Sequence, residues 1–365
     1  MNLNSMYALI KKLREAFLLA IVLVCSNALQ AQETPQTKIG VILPLTGNAA
    51  SYGSQFKSGI ELAAKQHPEL SFIYEDSQFD NAQALTAFKK LTATNKISAL
   101  FSFGGATCEV LNQEAKKLQL LHLAAGCNTA KFQDSDSSNF RLDVNESIAA
   151  LKMAQYLKSK NIKSVGLVFV NNSWATTIIE YTRQAFKAAQ IQIPYEIKFE
   201  EATSLNIRSE LLKLKAQKPQ LIFMISLPDL TPSVLKQMQE LQLQLPIMSN
   251  ISIENPEVVR LAKQAAEGIS YLSVKPQASS HAAFSEFYAA FPTGNPFAAW
   301  GFDSVKLAAL ALKTPSPKAY LQQLDQFIGA FNKYDFDRSG ELHLEYEIRE
   351  IKNGVGVFKA EIPAH

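Results

Sequence analysis

The stretch KIGVILPLTGNAASYGSQFKSGIELAAKQ, Lys38–Gln66, decides the fold class. Its first six residues are an apolar run stopped by Pro44, the pattern of a buried strand. A polar turn follows, and then Phe56, Ile60, Ala63 and Ala64 recur at helical spacing, which predicts a helix over Ser54–Gln66. The same unit repeats downstream. Strands are expected at Ser71–Tyr74, Ile97–Phe101 and Leu120–Ala124, with helices at Ala82–Thr94 and Cys108–Lys117. After residue 147 the pattern restarts. Strands are expected at Ser164–Phe169, Ile193–Phe199, Leu221–Ile225, Pro246–Met248 and Ile269–Val274, and helices at Ile148–Leu157, Thr176–Ala189, Ser209–Ala216, Pro232–Leu241 and Pro256–Gln264. Strands alternating with helices over short loops predict an α/β chain with two parallel, doubly wound halves. Open parallel sheets bind ligands beyond the carboxyl ends of their strands. In two facing halves the loops after those strands would line one cleft.

Composition agrees with a folded, two-domain chain. Of 365 residues, 47% are apolar, and Gly and Pro contribute only 15 each, which argues against long disorder or repeats. The formal charge is +3 with no basic stripe, so nucleic acid is not an expected partner. The five histidines are scattered, and neither a Gly-x-Ser-x-Gly elbow nor a Gly-x-x-x-x-Gly-Lys loop is present. No metal, cofactor or catalytic centre is therefore expected. Asp335–Gly340 opens like a calcium loop, but Tyr346 stands where the bidentate Glu belongs, so a turn is expected there.

The amino terminus reads as an address. Lys11, Lys12 and Arg14 precede an apolar run from Ala16 to Cys25, followed by small and polar residues around Ala28 and Ala31. That is the plan of an export signal over residues 1–31. Ten apolar residues span about 15 Å as helix, too little to cross a bilayer. Val24 sits where a lipoprotein signal wants a small residue, which disfavours a lipid anchor at Cys25. Export places Cys108 and Cys127 in an oxidising compartment. A bridge between them stays open as a possibility, and two free, mostly buried thiols are the favoured reading.

Several stretches, taken in order, resemble the leucine/isoleucine/valine-binding family of periplasmic binding proteins. They are Lys38–Gln66, IYEDSQFDNAQALTAFKKL (Ile73–Leu91), Ser98–Phe132, VGLVFVNNSW (Val165–Trp174) and the closing YDFDRSGELHLEYEIREIKNG (Tyr334–Gly354). Each is weak alone; the ordered set is specific. The resemblance implies a type I periplasmic-binding fold, two Rossmann-like lobes joined by three crossings near Arg141–Glu146, Tyr271–Pro276 and Ala330–Lys333. The lobes are expected at 37–142 with 276–330, and at 143–275 with 331–362.

The resemblance also implies a pocket. Its aromatic walls fall on Tyr52 and Trp174. The loop that gives a serine hydroxyl to a ligand carboxylate reads Gly104-Gly105-Ala106-Thr107, with no hydroxyl at Gly104 and Thr107 nearby. The loop giving a carbonyl and a threonine reads Ala125-Gly126-Cys127. A second family tyrosine becomes Leu227, and the acid that holds an amino-acid ammonium becomes Ile251, with Asp229 and Glu254 the nearest acids. A disulfide of many relatives is replaced by Phe79 and Phe103. The pocket has lost polar groups, which predicts an uncharged or mainly apolar ligand rather than a free zwitterionic amino acid. The expected role is a periplasmic, non-enzymatic solute-binding protein that delivers a small molecule (an amino acid, amide or similar solute) to an ABC importer permease by hinge closure. The alternative is a scaffold that has lost its ligand and contacts another envelope protein.

Overall fold

The computed structural model describes residue 14 and residues 36–105, 107–127, 138–201, 206–276, 284–325 and 327–363. Apart from Arg14, the expected export segment lies outside the described residues. Among the described residues no helix is long and apolar enough to cross a membrane.

The first half runs β1 (Thr37–Leu43), α1 (Ala50–Ala64), β2 (Leu70–Asp76), α2 (Asn81–Thr94), β3 (Ala99–Phe103), α3 (Thr107–Lys117), β4 (Leu121–Ala125) and β5 (Asn139–Arg141). Its strands form one sheet in the order β2-β1-β3-β4-β5, parallel throughout. The second half continues with α4 (Glu146–Ser159), β6 (Val165–Val170), α5 (Ser173–Ala189), β7 (Glu196–Phe199), α6 (Arg208–Ala216), β8 (Leu221–Ile225), α7 (Thr231–Glu240), β9 (Ile247–Ser249), α8 (Pro256–Ala262) and β10 (Ser270–Val274). Then come α9 (Ser285–Ala290), α10 (Pro296–Ala311), α11 (Pro317–Gln322), the short ribbon β11 (Phe327–Ile328) and β12 (Lys333–Tyr334), and the pair β13 (Tyr346–Lys352) and β14 (Val355–Glu361). The second sheet has the order β14-β13-β10-β9-β8-β6-β7. Its β6 to β10 strands are parallel, and β13 and β14 add an antiparallel edge.

The strand expected at Ile193–Phe199 is shortened to β7 because Pro194 lacks the N–H a ladder needs. Helix α1 begins four residues earlier than expected, which puts Tyr52 on its first turn. Helix α10 was not expected. Its sequence PFAAWGFDSVKLAALA is apolar nearly all round, so it carries no amphipathic period, and it is buried along almost its whole length. It packs on α1 through small residues: a Cβ at Gly59 would strike the Ala298 carbonyl, and one at Gly301 the Phe56 carbonyl.

The chain passes between the sheets three times. The first passage lies between β5 and α4 and the second between β10 and α9. The third, expected at Ala330–Lys333, falls later. Residues Lys333–Tyr334 still pair with Phe327–Ile328, and the Gly340 carbonyl still accepts from the Arg141 amide of the first lobe. The crossing is therefore between Glu341 and Tyr346, where β13 joins the second sheet. A buried ion pair, Arg141 Nη2 to Glu341 Oε1 at 2.9 Å, ties it to the first crossing.

Candidate functional site

Both sheets reverse strand order beside their first strand, between β1 and β3 and between β6 and β8. Such switch points open a crevice at the strand ends. Tyr52 follows β1 and Trp174 follows β6, so each sheet supplies one ring from its own crevice. Trp174 is held at the start of α5 by the Asn172 cap, whose side chain accepts from the Ala175 amide at 2.9 Å.

The two rings meet, with centroids 6.4 Å apart and an edge-on geometry. Around them stand Phe79, Phe103 and Phe297, at 6.5, 5.5 and 5.0 Å from Tyr52, and Trp300 at 5.4 Å from Phe297. These residues border a gap of about 30 Å³ whose other lining includes Gly126, Asp143, Val144, Glu146, Asn250, Ile251 and Ser252. The first lobe contributes mostly rings, and the second lobe contributes Trp174 and the polar groups. A smaller gap of about 20 Å³ shares Val144, Glu146, Asn250 and Ile251 and reaches under α4 and α5.

Of the nine pocket residues expected from the sequence, Tyr52, Trp174 and Ile251 border this gap. Gly105 packs against Trp174, so closely that a Cβ there would lie 2.7 Å from the Trp174 Cβ. The remaining five are committed elsewhere. The Gly104 amide donates to the Ala125 carbonyl at 3.1 Å, and the Gly104 carbonyl accepts from the Thr107 hydroxyl at 2.7 Å. Neither that hydroxyl nor that carbonyl is left for a ligand. Leu227 is buried away from the gap, its carbonyl accepting from the Thr231 hydroxyl at 2.9 Å. Cys127 is not a free thiol. It is bonded to Cys108, with Cα atoms 5.7 Å apart, because the loop after β4 and the start of α3 are neighbours in the sheet. The favoured expectation of two free thiols is thereby corrected. Asp229 is exposed, and Glu254 faces Arg349 at 3.6 Å, so neither stands in for the family acid.

Sequence reasoning missed the carboxyls that do border the gap. Asp143 and Glu146 lie on the first crossing, 5% and 7% exposed. Burial pushes both upward, Asp143 well above the carboxylate range and Glu146 to about 7, partly offset by Arg141. The amides of Gly126 and Cys127 donate to Asp143, whose Oδ1 has no hydrogen-bond partner among the described residues. Asn250 Nδ2 donates weakly to Glu146 Oε1 at 3.4 Å. The available signal was weak: two acids beside Arg141 in the mixed run FRLDVNES, where Phe140, Leu142 and Val144 alternate with polar residues. Phe297 and Trp300 were missed with the helix that carries them.

The other chemistry weighed in the sequence is structural. His122 bonds Ser102 Oγ at 2.7 Å and Asn139 Oδ1 at 3.2 Å, and burial lowers it to about 4. Asp337 accepts from the Ser339 hydroxyl and the Glu341 amide, closing a turn rather than a calcium loop. No cluster of metal-ligating side chains occurs among the described residues.

Residues 36–340 match the family model described as a periplasmic binding protein. The chain belongs to that family. No curated protein matches this binding protein. Among solved structures it is similar to an ABC-transporter solute-binding protein from R. palustris in complex with benzoate, at 16% identity and TM-score 0.80, covering 89% of this chain and 96% of that one. It is similar to the leucine-binding protein LivK of Thermotoga maritima, at 18% identity and TM-score 0.80, covering 89% and 98%. It also resembles the branched-chain amino-acid binding protein LivJ of Streptococcus pneumoniae in complex with isoleucine, at 20% identity and TM-score 0.79, covering 90% and 99%. The fold is thus the type I periplasmic-binding architecture, and the role is solute binding, not catalysis.

Proposed function

We propose that this protein is the exported solute-binding component of an ABC importer and takes a small, mainly apolar ligand without a carboxylate. The observation that carries the reading is the gap shared by the two lobes, with Tyr52, Phe103 and Phe297 on one side and Trp174, Ile251 and Ser252 on the other. Ligand would seat against the rings of the first lobe, and rotation about the crossings would bring Trp174 over it. The lobes that move are residues 37–142 with 276–340, and 143–275 with the segment after the last crossing at 341–345. A free amino acid is disfavoured because the donors that would hold its carboxylate, the Gly104 amide and the Thr107 hydroxyl, already donate to the Ala125 and Gly104 carbonyls.

A thermal-shift screen against amino acids, amides, aromatic acids and amines tests this, followed by calorimetry on the hits. Trp174→Ala is expected to weaken the best hit roughly ten- to hundred-fold, the worth of one buried ring face. Micromolar leucine or valine binding would overturn the ligand class. The second reading, a scaffold turned to another envelope protein, is favoured by one fact: the rings leave a gap of only about 30 Å³. A screen with no hit in any class, and no ligand-induced closure, would favour it.

A further inference from the structure

We propose that the ligand is a small organic amine bound as its cation, the ammonium seated between the Asp143 and Glu146 carboxyls and the carbon body against Tyr52, Trp174, Phe297 and Trp300. This rests on the solute-binding reading and adds the ligand's charge.

The charge count around the crossing supports it. Arg141 is the cation beside both acids, and its guanidinium is already bonded to Glu341 and to the Cys127 carbonyl. Three buried carboxyls thus face one guanidinium that a single carboxylate balances. Among the described residues, the remaining groups around the pair supply no second positive charge. They are the Tyr334 and Tyr346 hydroxyls, the Asn250 amide, and the backbone amides of Gly126 and Cys127. Two close carboxyls in low dielectric cannot both ionise without a counter-charge. In the unliganded protein they therefore retain a proton.

The second line of support is independent of the acids. Tyr52 Oη is buried on a residue bordering the gap with only the Ser252 hydroxyl near it, so it has a lone pair left to accept from an ammonium, whereas the Trp300 Nε1–H is itself a donor and gives such a ligand only its ring face. Buried polar atoms without partners are rare, and several around one gap mark a place where a polar group belongs. The rings present π faces, which attract a desolvated cation, Trp most strongly. An ammonium has several N–H donors, enough for Asp143 Oδ1 and the Glu146 carboxyl together. A carboxylate would be repelled there, and a neutral amide would leave the acid pair uncompensated.

The proposal has a signature in protons. An arriving cation displaces the proton held by the pair, so binding releases a proton to buffer. Affinity should then rise with pH from about 5 to 8, while the amine itself remains charged.

The test compares matched probes on the purified protein by calorimetry: isobutylamine, isobutyramide and isobutyrate, then benzylamine, benzamide and benzoate. At least one amine is expected to bind roughly tenfold or more tightly than its amide and carboxylate partners. Its enthalpy should change between two buffers of different ionisation heat, reporting proton release. Asp143→Asn and Glu146→Gln should each cost the amine roughly tenfold or more without lowering Tm. Should either variant fail to fold, the wild-type pH profile and proton release decide. An amide or carboxylate that binds as tightly as its amine overturns the charge assignment and leaves solute binding standing. Amine binding that is insensitive to pH and to both substitutions overturns it too. No binding by any probe or any class in the wider screen overturns both.

Discussion

Two buried aspartates, Asp303 in α10 and Asp143 on the first crossing, begin alike and end differently. Burial pushes both upward, Asp303 to about 7. Asp303 accepts from the Ala330 amide at 2.7 Å, the Phe331 amide at 3.3 Å and the Tyr334 hydroxyl at 2.9 Å. It staples α10 to the ribbon that precedes the third crossing. Asp143 has two backbone donors and a bare Oδ1 beside a gap. A displaced acidity therefore says only that a carboxyl is buried. The supply of partners separates a carboxyl that holds the fold from one held ready for a ligand.

Substitution is the hardest test of that contrast. Asp303→Ala would strand three buried donors, each worth about 1–3 kcal/mol when unsatisfied. We expect a loss of about 3 kcal/mol or more in urea denaturation. Asp143→Asn should stay within about 1 kcal/mol of wild type, since burial already favours the neutral carboxyl and the Asn side-chain oxygen can still accept from the Gly126 and Cys127 amides. Equal losses at the two sites would dissolve the comparison.

The disulfide sharpens it next. Cys108 and Cys127 close a loop of 19 residues, worth about 3 kcal/mol in the chain-entropy model. The bond also holds the loop whose amides face Asp143, and it does not touch the staple at Asp303. The double Cys→Ala variant should lose stability by that amount and bind its ligand more weakly. Titration of the denatured, unreduced protein should find neither Cys108 nor Cys127 reactive; two reactive thiols from these positions would remove the bridge.

A pH series reads both sites at once. Glu146 and Asp303 are pushed up to about 7 from ordinary carboxyl values, so the folded state binds protons that the unfolded chain has released. Their stabilising effect is full below the unfolded values near 4 and disappears as pH rises through about 7. Each of the two sites should cost about 2–3 kcal/mol of stability between pH 5 and pH 8, and buried His122, lowered to about 4, opposes them only below about pH 6.5, so the net fall is clearest between pH 6.5 and 7. Asp76 and Asp337, held below the usual range, act only at lower pH and with the opposite sign. Glu146→Gln should flatten the slope in part, and saturating ligand should flatten the same part. A flat wild-type curve would mean that neither group is displaced.

How much of this was legible depended on periodicity. The apolar strands and the helices with one buried face announced themselves, as Phe56 and Ile60 did for α1. Helix α10 did not, because a helix buried all round has no face to detect, and Phe297, Trp300 and Asp303 were hidden with it. Tyr52 and Trp174 were found through the resemblance. Leu227 and Thr107 were carried over by the same route, yet their side chains or carbonyls are spent within their own loops. Asp143 and Glu146 escaped because they lie on a connection, where charge is ordinary. Only the three-dimensional crossing makes that connection a wall of the cleft.

The smallest expected effect lies at the rim, where the lobes touch. Asn48 Nδ2 donates to Glu201 Oε2 at 2.9 Å, and Asn172 Nδ2 to the other oxygen of the same carboxylate at 3.2 Å. Ser51 Oγ donates to Asn255 Oδ1 at 3.0 Å, an acceptor that also caps α8. Asn48 and Ser51 follow β1, whereas Glu201 and Asn255 belong to the second lobe, so the Asn48–Glu201 and Ser51–Asn255 bonds exist only while the cleft is closed. Each is worth about 0.5–1.5 kcal/mol net at a wet rim. Removing both with Asn48→Ala and Ser51→Ala should move the open–closed balance by roughly tenfold. Tm should hardly change, because neither lobe's core is touched. Small-angle scattering should show a larger mean radius without ligand and recovery with it. Opening admits water to Asp143 and leaves Asp303 dry, so the part of the pH slope due to the crossing should shrink while the part due to α10 persists. Unchanged scattering and an unchanged slope would mean that the ring cluster around Tyr52 and Trp174, and not the rim, holds the lobes together.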